Sequence, residues 1–177
     1  METKANNRTR TFTWGDPFEA IKAAPGKTGL ELMNMFADGS LPPPPIMSTM
    51  NFTGAEFGEG KAVFVGEPAE YLYNPIGVVH GGWAMTLLDS AMSVAVHTSL
   101  AVGERYTTVE IKVNFVRPIT LDTGRVRAEG AVIHRGGTIA TAEGKLVVES
   151  TGKLLAHGTS TCLIIADNGN RNGNGAG

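Results

Sequence analysis

Residues Asn74 to Leu100 read NPIGVVHGGWAMTLLDSAMSVAVHTSL. From Trp83 to Leu100 the apolar residues fall on nearly every face of a helix, which predicts a helix buried on most sides. The exceptions line up. Thr86, Asp89, Ser90, Ser93 and His97 recur at intervals of three or four and form one narrow polar stripe. The run is close to membrane-spanning length, but this stripe interrupts it, so it reads as a buried helix of a soluble protein. An ionised carboxylate among apolar neighbours costs several kcal/mol unless it is hydrogen-bonded, hydrated or shifted in pKa. Asp89 therefore has either a structural partner, Ser93 or a neighbouring strand, or a chemical role. A carboxylate in a partly dry cleft can have its pKa raised and act as a general base or nucleophile.

The His80-Gly81-Gly82 step at the helix start supplies a complement. Glycines let backbone N–H groups approach a ligand, and the unsatisfied N–H groups of a helix N-terminus favour negative charge. Such a site can act as an oxyanion hole, although Gly-Gly is also a common break at a helix start. Gly81 and Asp89 are eight residues apart on one helix, about 12 Å along its axis. One thioester or ester cannot touch both, so they can cooperate only if two chains contribute. A homodimer with antiparallel helices would set Gly81 of one chain opposite Asp89 of the other, giving one site per chain at a twofold interface.

On either side of this helix the sequence reads as strands. Two are expected between Met47 and Gly66, with Gly54, Gly58 and Gly60 at turns. Four alternating segments follow Gly103. Their inward faces are expected to be Val109/Ile111/Val113/Phe115, Val126/Ala128/Val132, Ala140/Ala142/Leu146/Val148 and Leu154/Ala156/Cys162/Ile164. Short links rich in turn formers predict antiparallel pairing of consecutive strands. The fold class is α+β, one antiparallel sheet with a long central helix laid across it.

Upstream, DPFEAIKAAPG predicts a short helix capped by Asp16 with Pro17 in its first position, and TGLELMNMFADG a second that stops near Gly39. LPPPPI predicts a stiff, extended connector. The first dozen residues and the Gly/Asn-rich stretch from Asp167 to Gly177 read as unstructured. The expected organisation is residues 1–46 as tail, short helices and connector, 47–166 as the folded domain, and 167–177 as a disordered tail.

The 177 residues fit a single domain, and 42% hydrophobic with 18% charged residues is ordinary globular usage. A formal net charge of -2 gives no reason to expect nucleic acid or an anionic membrane as partner. Cys162 is the only cysteine, which excludes an intrachain disulfide, and the N-terminus lacks the design of a signal peptide; a cytoplasmic location is expected. His97, His134 and His157 are scattered without ligand spacing, so no metal is expected. There is no Gly-x-Ser-x-Gly nucleophile, and RGGT lacks the rest of a phosphate loop.

NPIGVVHGGWAMTLLD resembles the signature of hotdog-fold acyl-CoA thioesterases of the PaaI-like, 4-hydroxybenzoyl-CoA thioesterase-like group. The resemblance covers about Met47 to Ala166, and GLELMNMFADGSLPPPPI resembles an N-terminal extension of some members. It implies a sheet wrapped around the central helix and hydrolysis of an acyl-CoA, aryl or of short to medium chain. Gly81 would offer its N–H to the thioester carbonyl, with His80 and Asn74 shaping that end. Asp89 of the opposite subunit would activate water or attack directly, helped by a hydroxyl at Thr108, or at Thr107 if the loop differs by one residue. Gly82 and Trp83 would contact substrate, with Trp83 and Met85 narrowing an acyl pocket, and Arg135, Gly136, Gly137 and Thr138 would lie near the phosphates of coenzyme A. The resemblance further implies a homodimer, associating into a homotetramer as a dimer of dimers, and no cofactor beyond the coenzyme A of substrate and product.

Two other functions fit the same fold. A non-catalytic acyl-CoA-binding module would use the same groove, but would usually carry an attached regulatory domain. An enoyl-CoA hydratase or dehydratase would place a His/Asp or His/Glu pair where this helix has a lone carboxylate.

Overall fold

The computed structural model describes residues 7–166. Three short helices come first: α1 (Glu19–Ala23), α2 (Gly29–Ala37) and α3 (Pro45–Thr49). Strands β1 (Phe52–Gly58) and β2 (Lys61–Gly66) precede the long helix α4 (Gly81–His97), and β3 (Glu104–Phe115), β4 (Val126–Arg135), β5 (Ile139–Val148) and β6 (Leu154–Ala166) follow it. All six strands form one antiparallel sheet in the order β1-β2-β4-β5-β6-β3. This is the hotdog architecture, with α4 held in the concave face of the sheet. Leu87, Leu88, Ala91, Met92, Ala95 and Val96 of α4 are fully buried against Ala128, Ala140, Ala142 and Leu146 of the sheet centre.

The helix approaches the sheet closely because the sheet carries glycines beneath it. Gly130 pairs with Gly144, and Gly144 with Gly158, so three glycines form a row across β4, β5 and β6. A methyl group on Gly130 would lie 2.2 Å from the Ala91 carbonyl oxygen, and one on Gly144 2.8 Å from the Met92 side chain. Backbone meets backbone here, and no side chain larger than hydrogen fits.

Several expectations need correction. β3 does not pair with β4. The ten residues between them include a 3-10 turn at Leu121–Thr123 and are long enough to cross the sheet, so the 12-residue β3 lies beside the 13-residue β6 at the edge. The β3 register slips between Thr108 and Glu110. Val109 is the extra residue of this bulge and is exposed, while Tyr106, Ile111 and Val113 pack against the core and Phe115 is exposed. β6 bulges too, between the partners of Leu146 and Val147, which turns Leu155 into the core beside Ala156.

The last proline of LPPPPI starts α3 in place of a purely extended connector, since proline suits the first turn of a helix. Met47 is therefore helical, and the first strand begins at Phe52. α1 starts at Glu19, because the Asp16 carboxylate accepts from the Phe18 N–H and organises the turn ahead of the helix. α2 begins with a capping box between Thr28 and Glu31 and ends before Gly39, whose φ is 81°.

The residues just before α1 are ordered by contacts rather than left loose. Arg8 pairs with Glu70 at 2.8 Å, and the Arg10 guanidinium donates to the Thr49 carbonyl while lying 4.1 Å from the Tyr71 ring centroid. The disorder expected at the extreme termini, including Asp167 to Gly177, concerns residues outside the described range.

Candidate active site

The loop before α4 is shaped by Asn74. Its side-chain oxygen accepts from the N–H groups of Ile76 (3.1 Å) and Val78 (3.3 Å), and Gly77 between them takes a φ of 82°. The chain then enters α4 at His80, the N-cap residue. His80 Nδ1 accepts from the Gly82 N–H at 2.9 Å, and the His80 carbonyl accepts from the Trp83 N–H at 2.9 Å. In the neutral imidazole this puts the ring proton on Nε2.

The Gly81 N–H has no protein acceptor among the described residues. Gly81 also has little room: a methyl there would sit 3.1 Å from the Phe115 ring. Gly81, His80 and Asn74 line one cavity of about 420 Å³ together with Ile76, Phe115 and Ile119. The Gly82 N–H is occupied by His80, so of the two glycines only Gly81, the one expected to offer its N–H, has that group open.

Asp89 lies two turns further along α4, half-buried. Thr108 donates to its carboxylate at 3.3 Å. Thr107, one residue away, sits on the opposite, exposed face of β3, so the geometry brings Thr108 rather than Thr107 to Asp89. Burial pushes the Asp89 carboxyl above the usual aspartate range, and the Thr108 hydrogen bond opposes this in part.

The polar stripe continues beneath β3. Ser93 is buried, and the Tyr106 ring meets His97 edge-on at 5.4 Å. Burial pushes Tyr106 up to about 12 and His97 down, so the tyrosine keeps its proton and the imidazole stays neutral. Tyr106 escaped notice in the sequence. Its signal was the parity of Arg105-Tyr106-Thr107-Thr108, which puts Tyr106 and Thr108 on one face.

Other candidates sit elsewhere. Trp83 is buried in the core, its Nε1 donating to the Met50 carbonyl at 2.6 Å, and packs against Gly66 rather than lining a cleft. Met85 is partly exposed on α4. Arg135 is ion-paired with Glu104 and donates to the Gly136 carbonyl, so its charge is already neutralised. The Gly136 N–H donates to Ile139, the Thr138 carbonyl accepts from the Ile164 N–H, and Gly137 is exposed. This hairpin end belongs to the C-terminal end of α4, since Glu104 also accepts from the Ala101 N–H. It is therefore at the far end of a 17-residue helix from Gly81. Cys162 is a buried core thiol that burial pushes up. Among the described residues no group of three metal-ligating side chains converges, and no helix is long and apolar enough to cross a membrane.

Residues 76–155 match the thioesterase superfamily. The chain is 32% identical over 106 residues to the 1,4-dihydroxy-2-naphthoyl-CoA hydrolase of Listeria monocytogenes, covering 60% of this chain and 82% of that protein. It is also 36% identical over 69 residues to a Halobacterium salinarum protein provisionally named an esterase, a match that spans 38% of this chain and 44% of that one. Among solved structures, a mutant of the phenylacetic acid degradation protein PaaI from Thermus thermophilus superposes with a TM-score of 0.60 at 28% identity, covering 67% of this chain and 97% of the other. The hotdog fold, an open amide at the start of its central helix and these similarities agree: the chain belongs to the thioesterase superfamily and is a PaaI-like thioester hydrolase.

Proposed function

We propose that the protein hydrolyses acyl-CoA thioesters to a carboxylic acid and free coenzyme A, at a site shared between two copies of the chain. The observation that carries this is the pairing, on one helix, of the open Gly81 N–H with a half-buried carboxylate held by Thr108. Gly81 and Asp89 of one chain are about 12 Å apart along the axis, so each substrate takes Gly81 from one protomer and Asp89 from its partner. The name of the Listeria relative supports coenzyme A as the carrier. β3 supports a second copy: it is an edge strand of 12 residues with Val109 and Phe115 exposed, and such edges are normally covered. Further association into a tetramer remains part of the proposal.

Asp89 takes a proton from a water that Thr108 helps to position, and the hydroxide adds to the thioester carbon. The negative charge that develops on the carbonyl oxygen is met by the Gly81 N–H and the Nε2–H of His80, reinforced by the positive end of the α4 dipole. When the tetrahedral species collapses, the C–S bond breaks and the leaving thiolate takes the proton from Asp89. Acid and free thiol leave, and the carboxylate is restored. A raised pKa suits this role, because it makes the carboxylate a stronger base. Asn74 fixes the loop that carries His80. With Arg135 already paired to Glu104, binding of the coenzyme A phosphates is not assigned to it.

Purified protein incubated with acetyl-, butyryl-, palmitoyl-, phenylacetyl- and benzoyl-CoA in the presence of a thiol-trapping dye tests the proposal. Release of free thiol from at least one of them is expected. Tight binding without release would favour the non-catalytic module, and hydration of crotonyl-CoA would favour the hydratase.

A further inference from the structure

The helices ahead of the hotdog sheet do more than precede it. β1 and β3 are the two edges of the sheet, and α4 would be open to solvent in the seam between them. α2 closes part of that seam. Its first residue, Gly29, donates its N–H to the Leu100 carbonyl at 3.0 Å, and a methyl on Gly29 would lie 1.7 Å from the His97 carbonyl oxygen. Leu32 and Met33 of α2 are buried with Leu41, and Phe57 of β1 and Val94 of α4 pack against them. The extension is thus locked to the C-terminal half of α4.

What it leaves beneath itself is a groove of about 780 Å³, within the size range of small-molecule sites. Its walls are apolar, with Met33, Phe36, Met47 and Phe64 prominent, and its floor includes Val94, His97 and Tyr106. Methionines adapt to flexible hydrocarbon better than branched side chains do.

The groove opens onto the same polar stripe of α4 that carries the proposed catalytic carboxylate, since His97 is part of its lining. Tyr106 lines it and lies two residues from Thr108, the partner of Asp89, on the same face of β3. Val94 and His97 follow Asp89 by five and eight residues, about 8 and 12 Å along the axis. A two- or four-carbon acyl group held at Asp89 cannot span that gap, whereas a long chain can.

We infer that the groove between the N-terminal helices and α4 receives the distal part of a long, apolar acyl chain, in the protomer that supplies Asp89. This rests on the proposed thioester hydrolysis and extends it to a substrate class, long-chain aliphatic acyl-CoA. It gives the extension a function in selecting substrate.

Two variants act on the groove in opposite directions. Ala24→Phe, at the end of α1, adds a ring to the wall, and Met33→Ala enlarges the space. Palmitoyl-CoA and butyryl-CoA are compared by kcat/KM, and binding of a non-hydrolysable palmitoyl-CoA thioether is followed by calorimetry. For Ala24→Phe, kcat/KM with palmitoyl-CoA and affinity for the thioether are expected to fall by about tenfold or more. With butyryl-CoA kcat/KM should stay within about threefold, and Met33→Ala should shift the preference towards bulkier chains. Equal effects on both substrates, or none on either, would overturn the inference while leaving hydrolysis intact. If no thioester is cleaved, the proposed function fails, but selective loss of thioether binding in Ala24→Phe would still place the chain in the groove. A change in oligomeric state without a change in chain-length preference would assign the groove to a second copy of the protein instead.

Discussion

The two long faces of α4 are built on opposite principles. Towards β4 and β5 it presents Ala91 and Met92, over glycines so close that backbone approaches backbone. Towards β3 it presents Asp89, Ser93 and His97, which meet Thr108 and Tyr106 on a bulged edge strand. The first face holds the helix in one position and tolerates no added atom. The second keeps polar groups partly dehydrated, at some cost in stability, and so makes a carboxylate chemically useful. The contrast shows how one helix can be both the centre of a core and the source of a catalytic group. The rigid side fixes where the reactive side stands.

The largest effect should come from the polar face. Asp89→Asn keeps size and hydrogen bonding but removes the base, and kcat is expected to fall by about a thousandfold. Circular dichroism and thermal melting should show the fold unchanged. Retention of full activity would eliminate Asp89 as the base.

On the rigid face, Gly130→Ala drives a methyl towards the Ala91 carbonyl oxygen at 2.2 Å. The helix would have to move off the sheet, at a cost of about 3 kcal/mol. Denaturant unfolding measures this. A variant as stable as wild type would mean that the close approach of α4 to the sheet is not what fixes the helix.

A smaller effect sharpens the assignment of the hydroxyl. Thr108→Val is expected to lower kcat by about tenfold, while Thr107→Val on the exposed face should leave it almost unchanged. The pH profile carries an independent sign. Burial raises the Asp89 pKa and the Thr108 hydrogen bond lowers it. Activity needs the ionised form, so the acidic limb of kcat/KM should lie above the ordinary aspartate range in wild type and move further up in Thr108→Val. An acidic limb that moves down, or that moves in Thr107→Val instead, would break the assignment.

Much of the architecture could be read from the residues. The stripe Thr86/Asp89/Ser90/Ser93/His97 marked α4 because helical periodicity is a local property, and the inward faces of β4 and β5 were clear from alternation. Where the reading failed, an extra residue had been inserted. The bulges at Val109 and Leu155 each reverse a parity that a strictly alternating pattern cannot register. The expected pairing of β3 with β4 failed for a related reason, since strand order depends on how a ten-residue link crosses the sheet rather than on either strand.

The site divides in the same way. Gly81 and Asp89 stood out because their spacing on one helix is fixed by its 1.5 Å rise per residue, and that spacing carries the argument for two chains, while His80 stood out from its place at the helix start and Asn74 through the family resemblance. Trp83 and Arg135 did not stand out correctly, because whether a large side chain faces a cleft or a carbonyl, and whether a cation is free or paired, depends on residues far away in the chain. Met50 decides the first and Glu104 the second. By itself the sequence determined the fold class, the central helix and the identity of its polar groups, all of which follow from short-range periodicity. Only the tertiary structure decided which threonine meets the carboxylate, which glycine keeps an open amide, and that the N-terminal helices roof a groove, because each of these depends on distances between segments that no local pattern encodes.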